Sequence, residues 1–322
     1  MHAKPTPLGP LTGDPAPPSP LAALPTARFG WTVGCSVVLA WLLIALVGNA
    51  IAMPWLPDPA SMSARHLALQ PQLASSPFGR PIVLEAAESS KQPHGDVYAE
   101  LKHGFADVLS SLQRWQTWCD VMLLQTNVKA CSSVPGAAVP TLRVGFVRKP
   151  TQTVDDAQFI DFKYAMPAAT RDYLSLQMTA DTGPVGTSNY HLQLEAIPLD
   201  TSTTFVHLSY DYANGVVARL ATDAYLATLG RNKVGFSISG RDDSGQPVFV
   251  RGVRGMAERS AMRYYLAVEA VLASAKQPAA QQPEDRLQHW WSAIERYPRQ
   301  LKEMERADYL AMKRRELQLP ER

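Results

Sequence analysis

Between residues 142 and 212 the chain alternates apolar and polar positions with a period of two, segment after segment. Leu142, Val144 and Phe146 alternate in 142–148, and Ile160, Phe162 and Tyr164 in 159–166. The pattern continues with Leu174, Leu176 and Met178 in 173–181, Tyr190, Leu192 and Leu194 in 190–197, and Val206, Leu208, Tyr210 and Tyr212 in 204–212. Side chains two apart share a face of a strand, so these segments predict an antiparallel meander with one apolar face. Shorter strand-like runs at 82–87 and 95–101 precede it. Two more, 233–239 and 248–254, follow around the turn sequence Arg241-Asp242-Asp243-Ser244-Gly245. Elsewhere the period lengthens. Phe105, Val108, Leu109, Leu112, Trp115 and Cys119 recur at helical spacing and predict one helix over 105–122. Further helices are expected at 216–229, closed by Gly230, at 258–275, and at 284–297 and 299–317, separated by Pro298. The plan is α+β: a curved antiparallel sheet wrapped on a long C-terminal helix, followed by amphipathic helices.

One stretch has neither period. Residues 31–52, WTVGCSVVLAWLLIALVGNAIA, carry no charge and match the length of a helix that crosses the hydrocarbon core. Lys4 and Arg28 precede it and no Lys or Arg follows until Arg65, so the N-terminus is expected in the cytoplasm and the remainder across the membrane. Ala50-Ile51-Ala52 has the small-x-small form of a signal-peptidase site. A run this long, behind a 30-residue leader, favours a retained anchor over a cleaved signal. The expected organisation is a Pro-rich cytoplasmic tail (1–30), an anchor or signal segment (31–53), a linker (54–80), a globular domain (81–276) and a helical extension (277–322). The expected address is the bacterial inner membrane, with the globular domain in the periplasm.

Composition narrows the function classes. A net charge of +2 with 19% charged residues gives no reason to expect nucleic acid. Of three cysteines, Cys35 lies in the apolar run, leaving Cys119 and Cys131 as the pair an oxidising compartment would join. Closing that loop is worth about 3 kcal/mol in the chain-entropy account. No Cys or His partner stands at metal-ligand spacing, and no cofactor motif is present. Gly183-Pro184-Val185-Gly186-Thr187-Ser188 leads into a strand, lacks the Lys-Ser/Thr pair of a phosphate loop, and reads as a turn. His207, Ser209 and Asp211 share one strand face. Parallel side chains about 6–7 Å apart do not make a nucleophile–base pair, so the face reads as solvated polar surface and no catalytic residue is assigned.

The densest chemistry lies at 251–265. Arg254, Glu258 and Arg263 sit at the mouth of the last long helix; Tyr264 in that helix and Tyr210 in the strand at 204–212 are added as candidate ligand contacts. They form either an internal ion-pair network or the polar anchors of an otherwise apolar ligand. The element order over 81–276 resembles the helix-grip fold of START-like lipid-transfer domains, the SRPBCC superfamily, and implies an apolar interior ligand. The hairpin at 233–254 departs from the minimal plan of that fold. The runs WCDVMLLQTNVKAC (118–131), GPVGTSNYHLQLEAIPLD (183–200), HLSYDYANG (207–215), GRNKVGFSISG (230–240) and RGVRGMAERSAMRYYLA (251–267) resemble a family of exported proteobacterial proteins, and that resemblance supplies no mechanism. The expectation is a non-enzymatic envelope protein that binds a hydrophobic or lipid-like ligand. An enzyme of the cyclase or hydrolase kind on the same scaffold is the first alternative. An assembly factor that docks an envelope partner through 284–322 is the second.

Overall fold

The computed structural model describes residues 58–318 other than 88, 90 and 229, and the apolar run at 31–52 lies outside them. Among the described residues no helix is long and apolar enough to cross a membrane.

Eight strands form one curved antiparallel sheet. The chain first makes the hairpin β1 (Ile82–Ala87) and β2 (His94–Leu101). It then passes through α2 (Phe105–Leu112) and α3 (Trp115–Leu123) to the opposite edge of the sheet. From there β3 (Val128–Ser133), β4 (Thr141–Phe146), β5 (Gln158–Ala169), β6 (Leu174–Thr182), β7 (Thr187–Pro198) and β8 (Thr204–Asn214) return as a meander, and β8 closes on β2. After α4 (Val216–Ala227) and a small separate hairpin, β9 (Ile238–Arg241) and β10 (Pro247–Phe249), the long helix α5 (Gly252–Ser274) packs on the inner face. The expected plan, a curved sheet gripping a long C-terminal helix, is the observed one.

The inner face is built from the apolar half of the alternation: Val97 on β2, Leu176 on β6, Leu194 on β7 and Leu208 on β8 are all inaccessible to solvent. α5 is closest where side chains are smallest. A Cβ on Gly95 would come within 3.0 Å of the Ala257 carbonyl and the Ala261 methyl, so glycine is what lets β2 and α5 touch there. The other side of α5 is covered by α6 (Gln282–Ile294) and α7 (Pro298–Leu301), and α8 (Arg306–Leu317) packs on α6. Trp290 and Trp291 stack on Tyr309 with ring centroids 4.8 and 5.2 Å apart, and the Tyr309 hydroxyl donates to the Leu124 carbonyl at 2.9 Å. Residues 277–318 therefore pack back on the domain and contribute to its core.

Some elements differ from the sequence reading. The expected linker holds α1 (Pro59–Ala74), which starts at the Asp58 cap with Pro59 in the first turn, where its missing amide costs nothing. Met62, Leu69 and Leu73 bury against Val83, Tyr98, Ile197 and Phe205 on the outer sheet face. The prolines had argued for loop, but one opens the helix and Pro71 lies in its last turn. The helix expected over 105–122 breaks at Gln113-Arg114 into α2 and α3. Strand β3 escaped notice because its run, VKACSS, alternates poorly. The strand expected at 233–239 is confined to its last residues, and that expected at 248–254 stops at Phe249, because α5 begins six residues earlier than its apolar spacing suggested.

Candidate functional site

The residues expected at the mouth of α5 are brought together, and they are already occupied. Glu258 is fully buried; its Oε2 accepts the Phe236 and Ser237 amides at 2.6 and 2.9 Å, while Arg254 Nε stands 3.3 Å from Oε1. This carboxylate latches the 234–237 segment onto the helix, which is why that segment is not a free strand. Gly235 and Gly255 make the approach possible, since a Cβ on Gly235 would meet Glu258 Oε2 at 2.5 Å. Arg263 reaches Glu303 at 2.6 Å, and Arg259 donates to the Val234 carbonyl at 3.3 Å. Burial would raise the Glu303 carboxyl, but the Arg263 charge and the Thr126 hydroxyl outweigh it and hold it below its ordinary range. These charges join α5 to the segments that cross it, and each cation has an internal acceptor.

Tyr210 and Tyr264 do meet. Their rings lie 5.0 Å apart at the end of the grip, and Tyr212 and Tyr190 continue the stack at 5.8 and 5.2 Å. Phe162 closes it edge-on to Tyr190 at 5.9 Å. Tyr264 is buried, whereas Tyr190, Tyr210 and Tyr212 keep partial access to solvent. Burial pushes the Tyr210, Tyr264 and Tyr212 hydroxyls well above the usual phenol value, so all three stay neutral donors and none serves as a base at physiological pH. Behind them Met178, Leu192, Leu208 and Leu266 fill the space between sheet and helix. Beside this end, the turn at 183–187 holds Val185 at φ +59°, an unusual conformation for a β-branched residue, and Gly186 accepts the Gly215 amide at the start of α4. α4 itself turns Val216, Val217 and Leu220 outward, each more than 60% exposed.

The outer face of β8 is not the solvated polar surface that its sequence suggested. His207 lies between two carboxylates, with Nε2 2.8 Å from Asp96 and Nδ1 3.3 Å from the buried Glu195. Tyr173 donates its hydroxyl to the other oxygen of Glu195. Asp96 also faces His94 at 2.6 Å, and Asp211 gathers His191 at 3.4 Å, His94 at 3.8 Å and Gln92 at 3.0 Å. Tyr98 stacks flat on His207, 4.3 Å between centroids, and Arg65 of α1 lies over Tyr98. Burial disfavours both charged forms, yet the paired hydrogen bonds raise His207 and hold Asp96 and Asp211 far below the usual carboxylate range. His94, held by Asp211 and Asp96, is raised to about 10. The cluster is a connected set of hydrogen bonds and ion pairs. Its members stand opposite one another in register (Tyr98 with His207, Glu195 with His207, His94 and His191 with Asp211), and a single strand's sequence contains no information about register.

Cys119 in the middle of α3 and Cys131 on β3 are bonded, Cα atoms 5.3 Å apart, as expected. Among the described residues no group of His, Cys, Asp or Glu is placed to hold a metal ion.

No family model and no curated protein matches the chain. Solved structures with similar architecture include the Zhui aromatase/cyclase from Streptomyces sp. R1128 (12% identical, 44% of this chain and 86% of that one, TM-score 0.32). Norcoclaurine synthase from Thalictrum flavum is 14% identical over 46% of this chain and 78% of its own (TM-score 0.29). A START superfamily protein from Mycobacterium smegmatis is 11% identical over 47% and 92% (TM-score 0.28). Likenesses this distant say nothing about ligand or reaction.

Proposed function

We propose that the protein is a non-enzymatic, membrane-tethered component of the cell envelope whose helix-grip domain binds a hydrophobic, lipid-like ligand at the tyrosine end of the grip. The observation that carries the reading is the stack of Tyr190, Tyr210, Tyr212 and Tyr264, partly open beside the exposed apolar face of α4. Neutral phenols in an aromatic wall suit a ligand with an apolar body and one hydrogen-bonding group. The deeper interior is occupied by side chains, so the ligand lies across the mouth or displaces rings as it enters. Arg254, Glu258 and Arg263 keep their structural partners. Envelope placement is supported by the uncharged run at 31–52 and by the Cys119–Cys131 bond. The inward-facing Trp290, Trp291 and Tyr309 argue against 284–322 as a partner-binding arm. The enzyme alternative loses its best candidate base because Glu258 is fully paired.

Native mass spectrometry and solvent extraction of the protein purified from its host are expected to return one bound lipid-like molecule, weakened by Tyr212→Ala. Protein that is repeatedly empty and shows no saturable uptake of a fluorescent fatty acid or sterol sinks the ligand reading. Alkaline phosphatase fused to the C-terminus is expected to be active; an inactive, stable fusion sinks the envelope placement.

A further inference from the structure

A cleft of about 310 Å³ opens away from the grip, between α3 and β3 where α8 ends against them. Trp115, Leu123, Val154 and Leu317 form apolar walls, and the Cys119–Cys131 bond ties the α3 wall to the β3 wall. The floor carries charge. Lys129, with only 2% of its side chain exposed, places its ammonium 2.6 Å from Glu316, 2.7 Å from the Pro150 carbonyl and 3.1 Å from the Met312 sulfur. The same Glu316 carboxylate takes Lys313 at 2.7 Å, and Lys313 is 1% exposed. Two enclosed ammonium groups thus share one carboxylate. Asp120, the other acid bordering the cleft, is already paired with Arg286. Buried charges are ordinarily balanced, because an uncompensated one forfeits its hydration. Among Lys129, Lys313 and Glu316 one positive charge is left over, and the third donor of Lys129 faces a thioether, a weak acceptor. Burial lowers Lys313 to about 8, the direction expected where a second cation stands close and a single acid serves both.

We propose that this cleft is a binding site for a small organic anion, a carboxylate or sulfonate on a flat apolar body, whose charged end takes the place of the Met312 thioether on Lys129 while its body lies against Trp115. The volume sits at the low end for ligand pockets, which selects a compact molecule over a two-chain lipid. The site shares no residue with the tyrosine end of the grip and stands independently of the reading given for it.

The test uses the full-length protein and two probes of nearly equal shape, 2-naphthoate and the uncharged 2-naphthalenemethanol, by titration calorimetry. The anion is expected to bind at least tenfold more tightly than the alcohol. Lys129→Met leaves Lys313 and Glu316 as a balanced pair, so it is expected to fold, to lose the tenfold preference and to keep the alcohol's affinity. Trp115→Ala is expected to weaken both probes, and Tyr212→Ala neither. Equal binding of the two probes, or an unchanged preference in folded Lys129→Met, overturns the proposal. Should Lys129→Met fail to fold, Lys129→Arg decides: it retains the charge and is expected to keep the anion preference, and loss of that preference in a folded protein overturns the site.

Discussion

The two faces of the sheet are made by the same strands and solve opposite problems. On the inner face β2, β6, β7 and β8 present Val97, Leu176, Leu194 and Leu208, and α5 seals them from water. On the outer face the same strands present Asp96, Ser175, Glu195 and His207, and α1 covers only one end. Under α1 the outer face is mainly aromatic and aliphatic, with Arg65 and His66 of the helix reaching Glu85 and Glu100; beyond it, polar and charged side chains pair across strands. The difference teaches that a strand's polar positions are not surface by default. Once a neighbouring element removes water from part of a face, its charges have to find one another.

The largest expected effect is on the inner face. Leu208→Ala is expected to cost about 3 kcal/mol in denaturant unfolding, as typical leucine truncations in close-packed cores do. A loss under about 1 kcal/mol would mean the interior relaxes readily, which would favour an interior ligand chamber. Next, Leu69→Ala on α1 is expected to cost about 2 kcal/mol, because Leu69 is 1% exposed. A negligible change would make α1 a detachable strap and leave the outer face effectively open.

Asp96→Asn is expected to cost about 2 kcal/mol, since it strips the charge-assisted partner from both His207 and His94. The same variant sharpens the comparison through pH. His94 is raised from 6.5 to about 10, so its contribution is fully present below its unfolded value and is lost as pH climbs through about 10. Unfolding midpoints are therefore expected to fall from near-neutral to alkaline pH in the wild type and to fall less steeply in Asp96→Asn. Parallel curves would show that His94 draws nothing from Asp96. The smallest effect is expected on α4, where Leu220→Ser is expected to stay within about 0.5 kcal/mol of wild type because Leu220 is 65% exposed.

Much of this was legible beforehand. Period-2 segments located β4 to β8 within a few residues, since alternation is the direct imprint of one covered face. The cysteine pair was legible from its count and spacing. The outer network was not: His207 and Asp211 stood out, but Asp96 and His94 lie on β2, with Asp96 standing 111 residues from His207, and Glu195 on the preceding strand meets His207 only through register. The residues singled out on α5 were the right ones to notice for charge and burial, yet nothing in the local pattern around Phe236, Ser237 and Glu303 marked them as their partners. Lys129 and Glu316, 187 residues apart, carried no mark at all.

The amino-acid sequence alone determined the order of the meander strands and of the later helices, and which strand face is apolar. Those are properties of neighbours along the chain, set by backbone period and by the cost of leaving apolar surface in water. Only the tertiary structure decided which charges pair, that α1 covers the outer face, and where open space remains. Pairing and cavities depend on distances between segments brought together by folding, and no local pattern encodes those distances.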